Sequence, residues 1–216
     1  MIRDQAQFEK EIADIEGEAY YIDYAELFGM IRHYAAQLDE HEHGAYSHVV
    51  WNRMQIECSA FNAMLCSTVN LPQAAPLLVS ALASENPEPQ LLRAIMTALV
   101  RYPADEAYRA IARYIDSAFA SDALMFAARM DFERSLPYLS MALARAEDDS
   151  GCLQIIRERL DDVGLDRLVD DLETFNLSSD TSLARLRDLL ADPRGYCPFS
   201  EVQRNFLLRG LGLSYE

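Results

Sequence analysis

Apolar residues return at steps of three and four along most of this chain, the spacing that lines one face of an α-helix. Between residues 20 and 38 the positions Tyr20, Tyr24, Leu27, Ile31, Tyr34 and Leu38 keep that rhythm, and Tyr21, Ala25, Phe28 and Ala35 widen the stripe. So broad a face predicts a helix packed on two sides. A second stripe, Val50, Trp51, Met54, Cys58, Phe61 and Leu65, predicts one long helix over residues 47–68. The polar run 39–47 before it, containing Gly44, is expected to be a loop.

From residue 71 onward the stripes repeat. Residues 74–82 form one apolar stretch, followed by a polar link with two prolines, then residues 91–102, Pro103, and residues 104–115. Proline in a first helical turn is tolerated because its missing N–H would have no partner there, and Asp105 with Glu106 suits the positive end of the helix dipole. Two helices joined by one tight turn predict an antiparallel hairpin.

A shift of 61 residues superposes Leu92 on Leu153, Ile95 on Ile156, Leu99 on Leu160 and Tyr102 on Val163. The same shift puts Asp105 on Asp166, Tyr108 on Val169, Ile111 on Leu172 and Tyr114 on Phe175. Between these copies a shift of 28 places Tyr108, Ile111 and Ile115 on Leu136, Leu139 and Leu143, with a first helix expected over 122–130 and Asp131 capping the second. Upstream, a shift of 33 places Leu78 on Ile111 and Leu82 on Ile115, and the spelling Pro76-Leu77-Leu78-x-x-Ala81-Leu82 returns as Pro137-Tyr138-Leu139-x-x-Ala142-Leu143. A period near 30 residues with one helix pair per period predicts a solenoid, in which each unit buries its apolar face against its neighbours.

Ala74, Pro76, Leu78, Leu82, Arg93, Ala94, Ala98 and Leu99 stand where HEAT-like repeats carry the same residue types, and residues 71–175 resemble that family. The later units lack its linking Asp and its Arg, and residues 1–70 match no repeat. What the resemblance implies is an all-α fold, an α-α superhelix of antiparallel helix pairs, used as a scaffold for many functions. The chain is thus expected to be a single helical-repeat domain: non-repeat helices over 1–70, repeats over 71–175 and capping helices over 176–216. In the last part a short helix is expected over 182–190, stopped at Asp192-Pro193-Arg194-Gly195. A capping box from Ser200 to Gln203 opens a final helix ending near Gly210.

Composition narrows the functional classes. Eight Gly and eight Pro are few for an all-β chain of 216 residues, which needs many tight turns. A formal charge of −16 argues against phosphate backbones and anionic membranes and favours a basic partner. The N-terminal third is the most acidic, with 12 acids against 4 bases in residues 1–70. Lys10 is the only lysine beside 18 arginines, a bias that points to a GC-rich, bacterial genome rather than to mechanism. Cys58, Cys66, Cys152 and Cys197 are far apart without CxxC spacing, which predicts reduced thiols and a cytoplasmic protein. No apolar segment reads as a signal peptide or a membrane span.

Candidate chemistry is sparse. His33, His41, His43 and His48 gather beside Asp39, Glu40 and Glu42, and His41, His43 and His48 are the candidate metal ligands. Two of them fall in the expected loop and none pairs at helical spacing, so the alternative is a solvated polar loop. Cys58 and Cys66, eight residues apart on one expected helix, are too far apart to chelate one ion and read as core. Asn176-Leu177-Ser178 spells a glycosylation sequon, taken as chance. Tyr20, Tyr21, Tyr24 and Trp51 are candidates for a partner interface, with core packing as the alternative. Arg101, Arg109 and Arg113 on successive helices are candidates to line a groove, with surface ion pairing as the alternative.

The leading expectation is a protein-binding scaffold or adaptor, resembling an immunity protein or a secretion chaperone in class, with no cofactor and no nucleic acid. The alternative is an enzyme on a HEAT-like scaffold, bilin-lyase-like or metal-dependent, using the His33, His41, His43 and His48 region.

Overall fold

Helix starts explain much of this structure. Asp4, Asp23, Ser59, Asp131, Asp148 and Ser200 each turn a side-chain oxygen onto a backbone N–H in the following first turn, satisfying a donor that no helical carbonyl can reach. The computed structural model describes residues 3–19, 22–84, 88–146, 148–174, 180–192 and 196–212, and among these there are thirteen α-helices and no strand. The expected all-α class is observed. Contacts divide the chain into two compact units, Met1–Ile111 and Ala112–Glu216.

Unit 1 contains α1 (Gln5–Glu18), α2 (Tyr24–Ala36), α3 (His43–Ile56), α4 (Ala60–Cys66), a 3-10 turn (Pro72–Ala74), α5 (Ala75–Leu82), α6 (Pro89–Leu99) and α7 (Asp105–Ala112), whose last residue passes the boundary. α3 packs on α1 and α4, and α4 packs on α2 and α6, which also receives α5. Unit 2 contains α8 (Ala120–Met130), α9 (Phe132–Arg145), α10 (Asp149–Val163), α11 (Leu165–Thr174), α12 (Asp180–Ala191) and α13 (Glu201–Gly210). There α8, α9 and α10 pack mutually, α10 meets α11, α9 meets α12, and α13 lies against α11 and α12.

Most apolar residues brought into register by the repeat shifts are buried, while Tyr114, Ile115 and Val163 are half-buried and the matched Asp105 and Asp166 are exposed. Leu78, Leu82, Leu92, Ile95, Leu99 and Ile111 are buried in unit 1, and Leu136, Leu139, Leu143, Leu153, Ile156 and Leu160 in unit 2. Asp131 caps α9 as expected, and Ser200 with Gln203 forms the expected capping box of α13. The two prolines of the shared spelling do not occupy equivalent places. Pro76 stands in the first turn of α5, behind the 3-10 turn, whereas Pro137 lies inside α9, which begins five residues earlier. Phe175, the sequon and residues 193–195 lie outside the described residues.

Two expectations fail locally. The single helix over 47–68 is broken at residues 57–59. Glu57 is extended, Ser59 caps α4, and the buried Asn62 amide donates to the carbonyl of Glu57 at 2.9 Å and of Arg53 at 3.5 Å, holding the break. Cys58 and Cys66 therefore do not share a helix. The expected loop over 39–47 ends at Glu42, and Gly44 lies in the first turn of α3.

Tertiary polar contacts then fix the helices. In unit 1 Arg3 donates to both oxygens of the buried Glu42, at 2.9 and 2.8 Å, and to Glu11 at 3.3 Å, with its guanidinium beside the rings of Phe8 and Tyr34. Tyr34 donates to the same Glu11 at 2.6 Å, so α1, α2 and the start of α3 meet at one arginine. The Tyr102 hydroxyl, buried, lies within hydrogen-bond distance of the Val69 and Cys66 carbonyls and accepts from the Leu71 N–H, which anchors the turn after α4. In unit 2 the buried Asp171 accepts from Arg159 at 2.7 Å and Arg167 at 2.9 Å, joining α10 to α11. Ser182 donates to the Ser140 carbonyl at 2.9 Å, joining α12 to α9. No described helix is long and apolar enough to cross a membrane.

The hydrogen bond from Arg3 holds the Glu42 carboxyl at about 2, below its ordinary 4.5. The unfolded chain therefore takes up this proton first as pH falls. The stabilisation is complete above about pH 4.5 and vanishes as pH approaches 2. Thermal melts of Glu42→Gln followed by circular dichroism should be less stable than wild type at neutral pH, with the gap closing between pH 4.5 and 2. A constant gap across that window would contradict the pairing.

Candidate functional site

α9 carries two apolar stripes. Leu136, Leu139 and Leu143 enter the core of unit 2, and the adjoining face presents Tyr138, Met141 and Ala142. Opposite them stand Leu124 of α8, Ile155 of α10 and Ile115 from the segment before α8, which together line a small, open apolar cleft with a cavity volume of about 40 Å³. Met141 at its edge is 40% exposed.

Polar groups stand around this cleft. Asp116, Ser121, Arg145 and Asp148 line it with the apolar residues. Asp148 is the N-cap of α10 and accepts from the Gly151 N–H at 3.0 Å and the Ser150 hydroxyl at 3.2 Å. A Cβ at Gly151 would overlap the Asp148 carboxylate and force it to shift. Partial burial pushes the Asp148 carboxyl up, but the bonds from Ser121, Gly151 and Ser150 outweigh it and hold the group below the ordinary carboxylate range. It is an anion at neutral pH.

Asp148 also borders a second, shallower groove of about 1060 Å³ counted with open space, lined by Asp149, Arg185, Asp188, Asp192 and Tyr196. Arg185 pairs with Asp149 through both terminal oxygens, tying α12 to the start of α10. Tyr196 is 64% exposed and its hydroxyl reaches Gln154 at 3.4 Å. Apolar cleft and acidic groove thus share one residue and both lie within unit 2.

The cleft has little reactive chemistry to offer. Burial, with Asp148 and Asp149 nearby, pushes the Cys152 thiol at its wall up to about 12, which keeps it a thiol rather than a thiolate at neutral pH. Burial likewise pushes Cys58 up to about 11 and raises Cys66.

The residues singled out from sequence fall elsewhere. His41 is exposed before α3, His43 opens that helix, and His48, also exposed, contacts Asn52 at 3.2 Å. His33 lies exposed on α2 against Gln37 at 2.7 Å. Among the described residues no three His, Cys, Asp or Glu side chains are gathered to hold a metal ion. Tyr24 stacks on Phe28 with ring centroids 6.4 Å apart, and Trp51 is half-buried on α3. Tyr20 and Tyr21 lie outside the described residues. Arg101 and Arg109 are exposed in unit 1, with Arg109 paired to Asp105 one helical turn away, while the exposed Arg113 opens unit 2. The cleft was missed in sequence, although Tyr138, Met141 and Ala142 beside a separate leucine stripe on one helix are its signal.

Compared with protein-family models, with curated proteins and with solved structures, the chain matches none.

The raised, buried thiols carry a direct consequence. In native protein at about pH 8, Cys66 and Cys152 should resist a soluble disulfide reagent and react only on addition of denaturant. Modification of Cys152 at the rate of a free thiol would contradict its burial.

Proposed function

We propose that the chain is a protein-binding scaffold whose helix pairs stack as HEAT-like repeats, and that the cleft of unit 2 holds a segment of a partner protein. The single observation that carries this reading is the apolar cleft beside α9, with Met141 at its mouth. Clefts lined mainly by apolar side chains with a few fixed polar groups suit recognition. The near-30-residue period and the burial of most of its registered apolar positions support the repeat assignment. A charge of −16 favours a partner that is basic on balance, because complementary fields speed encounter. The protonated Cys152 and the capping role of Asp148 favour binding over catalysis at this place.

A displayed peptide library selected on the whole chain, then counter-selected on Met141→Asp and Ala142→Phe, tests the reading. Both variants should retain wild-type helicity, since neither residue is fully buried. Peptides should be recovered on wild type and lost on both variants. Equal recovery on all three would overturn the cleft as the binding place.

A further inference from the structure

One side of α13 is fixed and the other faces solvent. Leu207 and Leu208 are buried in the core of unit 2, the Ser200 to Gln203 box holds the first turn, and the Gln203 side-chain oxygen accepts from Arg157 of α10 at 3.1 Å. At about 100° per residue, Glu201, Asn205, Arg209, Val202 and Phe206 follow one another over an arc of about 140°, and all five are exposed. Val202 is 76% and Phe206 39% exposed, an apolar pair one turn apart. Glu201 and Arg209 stand at opposite ends of this face, about 12 Å apart along the helix axis, and neither makes an ion pair among the described residues. Residues 196–212 carry Arg204 and Arg209 against the single acid Glu201, so the negative excess of the chain does not extend to this helix.

We propose that this face of α13 pairs with the same face of a second copy of the chain, the two helices running antiparallel about a two-fold axis near Asn205. Such an axis sets Glu201 of each copy opposite Arg209 of the other, so one ion pair forms at each end of the seam. It also brings Val202 and Phe206 of both copies to the same side of the seam, where they cover one another. Parallel packing would instead oppose Glu201 to Glu201 and Arg209 to Arg209. Opposite charges at the two ends of one face are what a helix needs to match its own reversed copy, and a partner of different sequence would not require them. A face on ten residues falls well short of the roughly 1,200 Å² that a standard interface buries, so the dimer is weak, with a Kd on the order of 0.1 mM. The contact does not depend on the cleft beside α9.

The test is sedimentation of the full chain from about 10 µM to about 1 mM, at about 0.15 M salt, where a Debye length of about 8 Å screens the distant charges of the two acidic copies. Wild type should pass from monomer to dimer across this range. Glu201→Arg and Arg209→Glu should each weaken association about tenfold, because each places like charges in both end pairs. An equimolar mixture of the two variants should regain it, since every end pair then joins an arginine to a glutamate. Val202→Asp/Phe206→Asp should remain monomeric with wild-type helicity by circular dichroism, both side chains being exposed. A wild-type chain that stays monomeric throughout overturns the proposal and leaves the face to a partner of other sequence. Association that survives Val202→Asp/Phe206→Asp, or a mixture that associates no better than its separate components, overturns it as well.

Discussion

The cleft exists because α9 can bury only one of its faces. Helical geometry fixes the angle between successive side chains, so committing Leu136, Leu139 and Leu143 to the core determines where Tyr138, Met141 and Ala142 must point. Helices of 7 to 15 residues such as these are marginal alone, and most of their stability comes from burying an apolar stripe against neighbours. α9 satisfies that demand against α8, α10 and α12 and has apolar surface left over. The surplus face is what makes unit 2 a candidate for recognition rather than a spacer.

The polar contacts serve position more than net stability. Ser182 on the Ser140 carbonyl fixes α12 beside α9, and Arg185 on Asp149 fixes α12 against the start of α10. Asp148 does two things at once: it caps the start of the helix that walls the cleft and supplies a charge at the cleft's rim. Its geometry depends on Gly151, because any side chain there would displace the carboxylate. Local chain conformation, helix capping and surface charge are thus coupled through two residues.

Most helices and two of the six side-chain caps were legible because they depend on near neighbours. Asp131 before α9 and the Ser200–Gln203 box follow from local hydrogen bonding, and the registered leucines follow from period. The break between α3 and α4 was not legible, since the stripe continues through it and the decisive amide of Asn62 acts only once the two helices are apart. Nor was the Arg3 cluster, whose Arg3–Glu42 pair spans 39 positions in sequence. The histidines drew attention by crowding along the chain, yet the fold leaves them exposed and brings no three such ligands together among the described residues. For the cleft, the sequence carried a signal in the second stripe of α9, but the walls supplied by Ile115, Leu124 and Ile155 are a product of packing.

The most direct test is crosslinking from within the cleft. A photoreactive residue in place of Met141 should trap a discrete protein adduct in cells of the source, and the same residue in place of Arg134, exposed on α9 and outside the cleft lining, should not. Indistinguishable adducts from the two positions, or none from 141 while other sites on the chain trap a partner, would contradict the account.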